Sequence, residues 1–242
     1  MSLLLSIIIP AHNEEDRLPD SLARIFAFLE RQTYQSEVLV VENGSRDRTA
    51  QVVEAMTPTY SNLRLVREPS RGKGLAVRRG MLEASGAYRF ICDADLSMPI
   101  EQVNRFLPPI LSDADIAIAS REAPGAIRYG EPFYRHWFGR VFNLLVRLLA
   151  VPGFHDTQCG FKCLKADVAD DLFQVLRLDG WTFDVELLFI ALKRAYHVVE
   201  VPIPWHYNPG SRVSLLRDSL SMLNDLFLIR RNWRAGLYAP RS

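Results

Sequence analysis
The amino-acid sequence predicts an α/β protein with a mostly parallel sheet flanked by helices. Two observations carry this. Apolar runs alternate with segments of helical period through the first half of the chain, and such a βαβα rhythm builds a parallel sheet covered on both faces. Polar segments follow the apolar runs directly, at residues 11–15, 42–47, 70–73 and 93–95, which is where sheets of this kind present ligand-binding groups. With 48% of its 242 residues hydrophobic, the chain can bury a sizeable core without staples.

In order, residues 3–9 read as a buried strand and residues 17–31 as a helix with Leu18, Leu22, Ile25, Phe26 and Leu29 on one face. Residues 37–41, 63–67, 88–92 and 115–119 read as further strands. Residues 46–56, 73–84 and 100–111 read as the helices between them. The second half changes character. Residues 133–151 form a strongly apolar helix with Arg140, Asn143 and Arg147 along one stripe, and residues 184–195 a second amphipathic helix. Residues 198–201 and 204–207 are short strands split by proline, and residues 215–233 a final helix closed by Arg230, Arg231 and Arg234. No repeat or low-complexity linker divides the chain, so one continuous domain over residues 1–242 is expected.

Charge and cysteine usage narrow the function. A net charge of +1 argues against a general nucleic-acid binder. Cys92, Cys159 and Cys163 include no C-x-x-C pair and read as reduced thiols of a cytoplasmic protein. A metal site on Cys159 and Cys163 would lack a second Cys/His cluster to complete it. Residues 1–10 lack the basic start and cleavage site of a signal peptide, and no uncharged apolar run reaches the roughly 18–20 residues that span a bilayer. A soluble or peripheral protein is expected.

The chemistry concentrates in three segments: 7–15 (IIIPAHNEE), 93–95 (DAD) and 155–162 (HDTQCGFK). Asp93 and Asp95 end a strand, where side chains at i and i+2 face the same way. Two adjacent carboxylates repel unless a cation joins them, and Mg²⁺ or Mn²⁺ shared with a diphosphate fits that need. A solvated turn is the alternative. The last segment packs a carboxylate, a hydroxyl, an amide, a thiol, a glycine and a lysine between two apolar blocks. Asn13, Glu14 and Glu15 suit the N-cap of the following helix, with ligand contact in addition. Residues 42–45 (ENGS) read as a turn whose carboxylate, Glu42, is able to accept a base N–H. Residues 71–74 (RGKG) read as a phosphate or ribose cradle or as a solvated basic loop. They are not a P-loop, because the required spacing is absent.

IIIPAHNEE, VVENGSRDRT, RGKG, DADL, Ser120-Arg121, DTQCGFK and WTFDVELL occur in that order. With these motifs, from about Leu5 to Trp233, the chain resembles family 2 glycosyltransferases of GT-A fold, a Rossmann-like architecture. Within them it is most similar to dolichyl/polyprenyl-phosphate glucosyltransferases, with the related mannosyltransferases next. The resemblance implies that Pro10, Ala11, His12, Glu14 and Glu42 line the nucleotide pocket, with Gly72, Lys73, Asp93 and Ala94 around the donor. It implies that Asp93 and Asp95 hold a metal with the diphosphate, and that Asp95, Arg121 and Asp156 are catalytic. Arg135, Arg212 and Gln158 would meet the acceptor phosphate. Residues 1–125 would form the nucleotide-sugar half, and 126–242 the acceptor half with interfacial helices.

The sequence departs from that family pattern in places. Glu42-Asn43 replaces the usual acidic pair, and Ser97 stands where the mannose branch often carries Gln, which favours glucose. The N-terminal membrane helix of the eukaryotic glucosyltransferases is lacking from this chain. The implied reaction moves a hexose with inversion from a nucleotide-diphospho-sugar donor to a polyprenyl/dolichyl phosphate. UDP-glucose is the donor favoured over GDP-mannose. A soluble acceptor and a non-catalytic binding module are the alternatives. Phe133, Trp137, Phe138, Phe142, Leu145, Leu148 and Leu149, with Arg135, Arg140 and Arg147, have the make-up of a helix lying in the headgroup plane. That predicts a peripheral protein at the cytoplasmic face of a membrane. A membrane-protein partner or a homo-oligomer is compatible with it.

Overall fold
The computed structural model of the protein describes residues 3–208 and 215–239; the side chains of Arg135, Phe138, Phe142 and residues 215–220 are not among those described. The first half follows the expected rhythm: β1 (Leu3–Ala11), α1 (Leu18–Leu29), β2 (Gln35–Asn43), α2 (Thr49–Met56), β3 (Leu63–Glu68), α3 (Lys73–Glu83), β4 (Tyr88–Ile91) and β5 (Ile116–Ser120). The helix expected over 100–111 is instead a 3-10 segment, Ile100–Phe106, bounded by Pro99 and by extended Leu107. It still buries Ile100, Val103 and Phe106 at the spacing of one helical face.

The second half holds three elements that periodicity did not disclose. They are β6 (Ile127–Tyr129), β7 (Lys162–Lys165) and α5 (Ala166–Phe173). The remaining elements are α4 (Phe133–Leu149), α6 (Phe183–Lys193), β8 (Val198–Pro202), β9 (Pro204–His206) and α7 (Leu215–Arg234). The main sheet has seven strands in the order β3-β2-β1-β4-β7-β5-β8, and β6 and β9 form a separate parallel pair. Every neighbour pair in the main sheet is parallel except the two made by β7, which runs antiparallel between β4 and β5.

Strand alternation divides the core in two. Leu5, Ile7, Ile9, Val38, Val40 and Phe90 face one layer, built on α1, α2 and the 3-10 segment. Ile8, Leu39, Val41 and Ile91 face the other, built on α3, α5, α6 and α7. Both faces of the sheet are therefore covered, as a mostly parallel sheet requires. α4 lies at the margin of the second layer. Val146 is buried in it and Leu149 packs against it, so Leu149 is not part of the outward apolar set. The outward stripe is Phe133, Tyr134, Trp137, Val141, Leu144 and Leu148, with Phe133 78% and Leu148 72% exposed. Arg140 and Arg147 are also exposed. No helix among the described residues is long and apolar enough to cross a membrane.

Candidate active site
The antiparallel strand β7 explains how the polar segments meet. β1, β2, β4 and β5 run the same way and release residues 11–15, 42–45, 92–97 and 120–122 at one rim. A strand running against them begins at that rim, so the loop ahead of β7, residues 155–161, lands among those residues. Gly160 records the closeness. A Cβ there would collide with the carboxylate of Asp93, so glycine lets the two segments touch with that carboxylate in place.

On this side Lys73, the first residue of α3, donates to Asp93 Oδ1 at 2.6 Å, and its ammonium lies 5.1 Å over the Trp181 ring. Gly74 sits flush on the 178–179 backbone, where a Cβ would collide with Leu178 O, and its N–H donates to Asp179 O at 2.8 Å. The RGKG segment is thus a fixed turn rather than a solvated loop. Asp95 Oδ1 accepts the Ser97 N–H at 3.0 Å. Burial and the neighbouring Asp93 push the Asp95 carboxyl above its ordinary range. Ala94 is buried, and its carbonyl accepts from Ser21 Oγ.

The 12–15 segment does not cap α1. Arg17 stands at the N-cap position with no side-chain cap, and the backbone carbonyl of Glu14 receives the first N–H groups. Asn13 Oδ1 instead accepts from Arg46 N, and Glu15 Oε2 accepts from Arg48 N; Thr49 Oγ1 and Asp47 Oδ2 receive the Glu14 and Glu15 N–H groups. The side chains lace two rim loops together, and the αL backbone of Asn13 (φ 54°) directs them there. His12 Nδ1 lies 2.9 Å from Asn43 O. Glu42 is buried and closes a turn by accepting Ser45 N at 2.5 Å, with Gly44 at φ +67°.

Across the rim, Asp156 and Arg121 form a two-pronged pair: Nε to Oδ2 at 2.6 Å and Nη2 to Oδ1 at 3.0 Å. Asp156 also accepts the backbone N–H groups of Arg121 and Gln158. Burial pushes its carboxyl up, but the Arg121 charge and hydrogen bonds outweigh burial and hold it well below the usual carboxylate range. Trp205 lies beneath two guanidiniums, Arg121 at 5.4 Å and Arg128 at 5.7 Å from its ring centre. Glu200 anchors the loop by accepting the His155 and Asp156 N–H groups. Asn143 of α4 donates to His155 O and accepts from Thr157 Oγ1. Gln158 Nε2 reaches Met222 Sδ of α7 at 3.8 Å. The Arg135 side chain and the whole of Arg212 lie outside the described residues.

Sequence reading passed over the buried pair Lys162–Asp184 (2.7 Å), which ties β7 to α6. Lys162 is fully buried and donates to Cys159 O as well. It also passed over Trp205, Arg128 and Glu200. The signal was present for Asp184, an acid in the otherwise apolar WTFDVELL run. Nothing local marks the others. Cys92, Cys159 and Cys163 are buried free thiols.

A mostly parallel αβα sandwich with carboxylates, a lysine and an arginine gathered at its strand ends is the architecture of the GT-A nucleotide-sugar transferases, and the family match places the chain among them. The chain belongs to glycosyl transferase family 2, whose family model matches residues 6–173. The dolichyl-phosphate beta-glucosyltransferase of Drosophila melanogaster is 36% identical over 258 residues, covering 100% of this chain and 78% of that one. The Dictyostelium discoideum enzyme of the same name is 32% identical over 256 residues, with the same coverage. Among solved structures, glucosyl-3-phosphoglycerate synthase of Mycobacterium tuberculosis superposes with a TM-score of 0.67 at 19% identity, over 94% of this chain and 80% of that one. At that identity the likeness speaks to the fold.

Proposed function
We propose that this chain transfers glucose from UDP-glucose, with inversion, to a polyprenyl or dolichyl phosphate at a membrane surface. The observation that carries the reading is the contact of Gly160 with Asp93, which makes the D-x-D rim and the Asp156 loop one site. Donor half (1–125) and acceptor half (126–242) meet there. The names of the curated relatives support the glucosyl donor and the lipid phosphate. The exposed aromatic stripe of α4 supports the membrane surface, since a soluble acceptor gives no reason for a wet apolar face.

A divalent metal fits the donor side. Asp93 and Asp95 offer hard oxygens, and burial together with the Asp93 charge raises the Asp95 carboxyl, a cost that a bound divalent cation would offset. Among the described residues no three His, Cys, Asp or Glu side chains converge as ligands, so diphosphate oxygens would complete the shell, as is usual for Mg²⁺. Bound there, Mg²⁺ or Mn²⁺ would neutralise the departing diphosphate. Structures of the mycobacterial synthase with Mn²⁺, UDP and phosphoglyceric acid support the pairing of metal and nucleotide.

The chain's own residues do the rest. Pro10, His12, Glu14 and Glu42 would line the nucleotide side of the rim with Gly72 and Lys73 beside them, whereas Ala11 is fully buried in the core layer beneath and offers no surface to a nucleotide. A monoester phosphate has a second pKa near 6, so the acceptor oxygen is largely ionised and needs little help from a base. It needs a cation in a fixed place. Arg121 supplies the cation, and Asp156 fixes it. Asp156, ionised and engaged by four N–H donors, orients rather than takes a proton. Gln158 adds an amide on the acceptor side, and Arg135 and Arg212 are the further arginines that the family resemblance assigns to the acceptor phosphate.

The test is a matrix of two donors and two acceptors with Mg²⁺. Purified protein should move glucose from UDP-glucose to a polyprenyl phosphate. Mannose transfer from GDP-mannose, or transfer to phosphoglycerate in place of the lipid, would overturn the reading.

A further inference from the structure
We propose that Lys73 is a built-in cation that a divalent metal displaces from Asp93, and that Asp184 is the carboxylate that keeps the displaced ammonium at the site. The inference rests on the metal reading above but concerns residues that reading leaves without a role.

The geometry is specific. Lys73 donates to Asp93 Oδ1, and the same carboxylate lies against Gly160. A metal bound by Asp93 and Asp95 must therefore take or share a carboxylate that already carries the lysine. Lys73 is held on other sides too. It lies over the Trp181 ring, and the adjoining Gly74 abuts Phe183, which sets the lysine at the start of α6, where Asp184 adds its negative charge to those of Asp93 and Asp95. Asp184 is buried on α6 and already pairs with Lys162, which donates to the backbone of the Asp156 loop. One buried carboxylate therefore stands behind two lysines, each holding one of the two loops that meet at Gly160. With Asp93 claimed by a metal, Lys73 keeps a counter-charge at Asp184 and stays beside the incoming diphosphate. Without Asp184, Asp93 would be its main counter-charge, and the lysine would hold that carboxylate against the metal.

The experiment is a titration of the full chain with Mn²⁺ in the absence of nucleotide, followed by water-proton relaxation. Lys73→Met should bind Mn²⁺ about tenfold more tightly than the wild type, the scale on which one neighbouring opposite charge alters a carboxylate. Lys73→Arg, which keeps the cation, should stay close to the wild type. Asp184→Asn should weaken Mn²⁺ binding, and the double variant Lys73→Met/Asp184→Asn should bind like Lys73→Met alone, because without the lysine Asp184 has nothing to retain. Should Asp184→Asn fail to fold, the two Lys73 variants still decide. Equal or weaker Mn²⁺ binding in Lys73→Met overturns the inference while leaving the metal reading in place. No Mn²⁺ uptake by the wild type or by Lys73→Met, in a repeat titration with UDP present as well as in its absence, overturns both.

Discussion
Asp156 shows how burial and partners decide a carboxylate's role. Isolated in that loop it would be a candidate base; paired on both oxygens it is a holder of Arg121. Asp156→Asn should lower transfer while leaving the limbs of the pH–rate profile where they are; loss of the acidic limb would make Asp156 a base. The linkage has a definite sign. The folded carboxyl lies below its unfolded value near 3.9, so its contribution is complete above that pH and is lost as pH falls through the depressed value. The stability gap between wild type and Asp156→Asn, about 3 kcal/mol for a broken buried pair, should be present at pH 7 and shrink below about pH 4 in denaturant melts. Asp93 and Asp95 are tested by near-isosteric Asn variants, which should abolish transfer without unfolding the protein. Full activity of the native protein in EDTA would remove the metal from the mechanism. Gly160→Ala should cost at least tenfold in Mn²⁺ binding, since its methyl group must move the Asp93 carboxylate.

At the scale of elements, α4 and β7 work in opposite ways. Among its described side chains, α4 buries Val146 and packs Leu149 against the core, and it leaves an aromatic and aliphatic stripe in water. Such a stripe, flanked by exposed Arg140 and Arg147, suits an interface where apolar groups sink and arginines stay at phosphate level. Each basic residue near an anionic leaflet adds about 1 kcal/mol. In liposome flotation the protein should bind anionic vesicles at low salt, release at high salt, and bind less with Trp137 replaced by Ser. A folded, active protein that ignores anionic vesicles at low salt would end the docking idea. β7 is buried on both faces. Cys163 enters one core layer and Leu164 the other, and Lys162 reaches its counter-ion without meeting solvent.

For the whole molecule, the Lys162–Asp184 pair ties the interior strand β7 to the second helical layer. Removing one member of a buried pair costs about 3–5 kcal/mol, because the other is left charged and unpaired. Lys162→Met should therefore lower the melting temperature by roughly 6–20 °C, given about 2–4 °C per kcal/mol in a chain of this size. Calorimetry checks this, and a shift under 2 °C would show that the pair is dispensable. The same pair bears on the site, since Lys162 also holds the Cys159 carbonyl in the loop that carries Asp156.

The parallel half of this fold was legible because its strands are short apolar runs and its helices carry one-sided patterns. Burial on both faces of a sheet imposes those patterns locally. The D-x-D pair, the RGKG turn and the DTQCGFK segment stood out for the same local reason, as polar groups at the ends of apolar strands. What only the tertiary structure decided was direction and pairing. β7 reads KCLK, two lysines around two apolar residues, and nothing in four residues says that one of those lysines is buried against an acid 22 positions later. Its antiparallel course, which carries Gly160 to Asp93, is fixed by neighbours far away in the chain. So is the pairing of Asp156 with Arg121, 35 residues apart, which engages both carboxylate oxygens. Propensity and periodicity act over a few residues, whereas charge pairing and desolvation act across whatever the folded chain brings together.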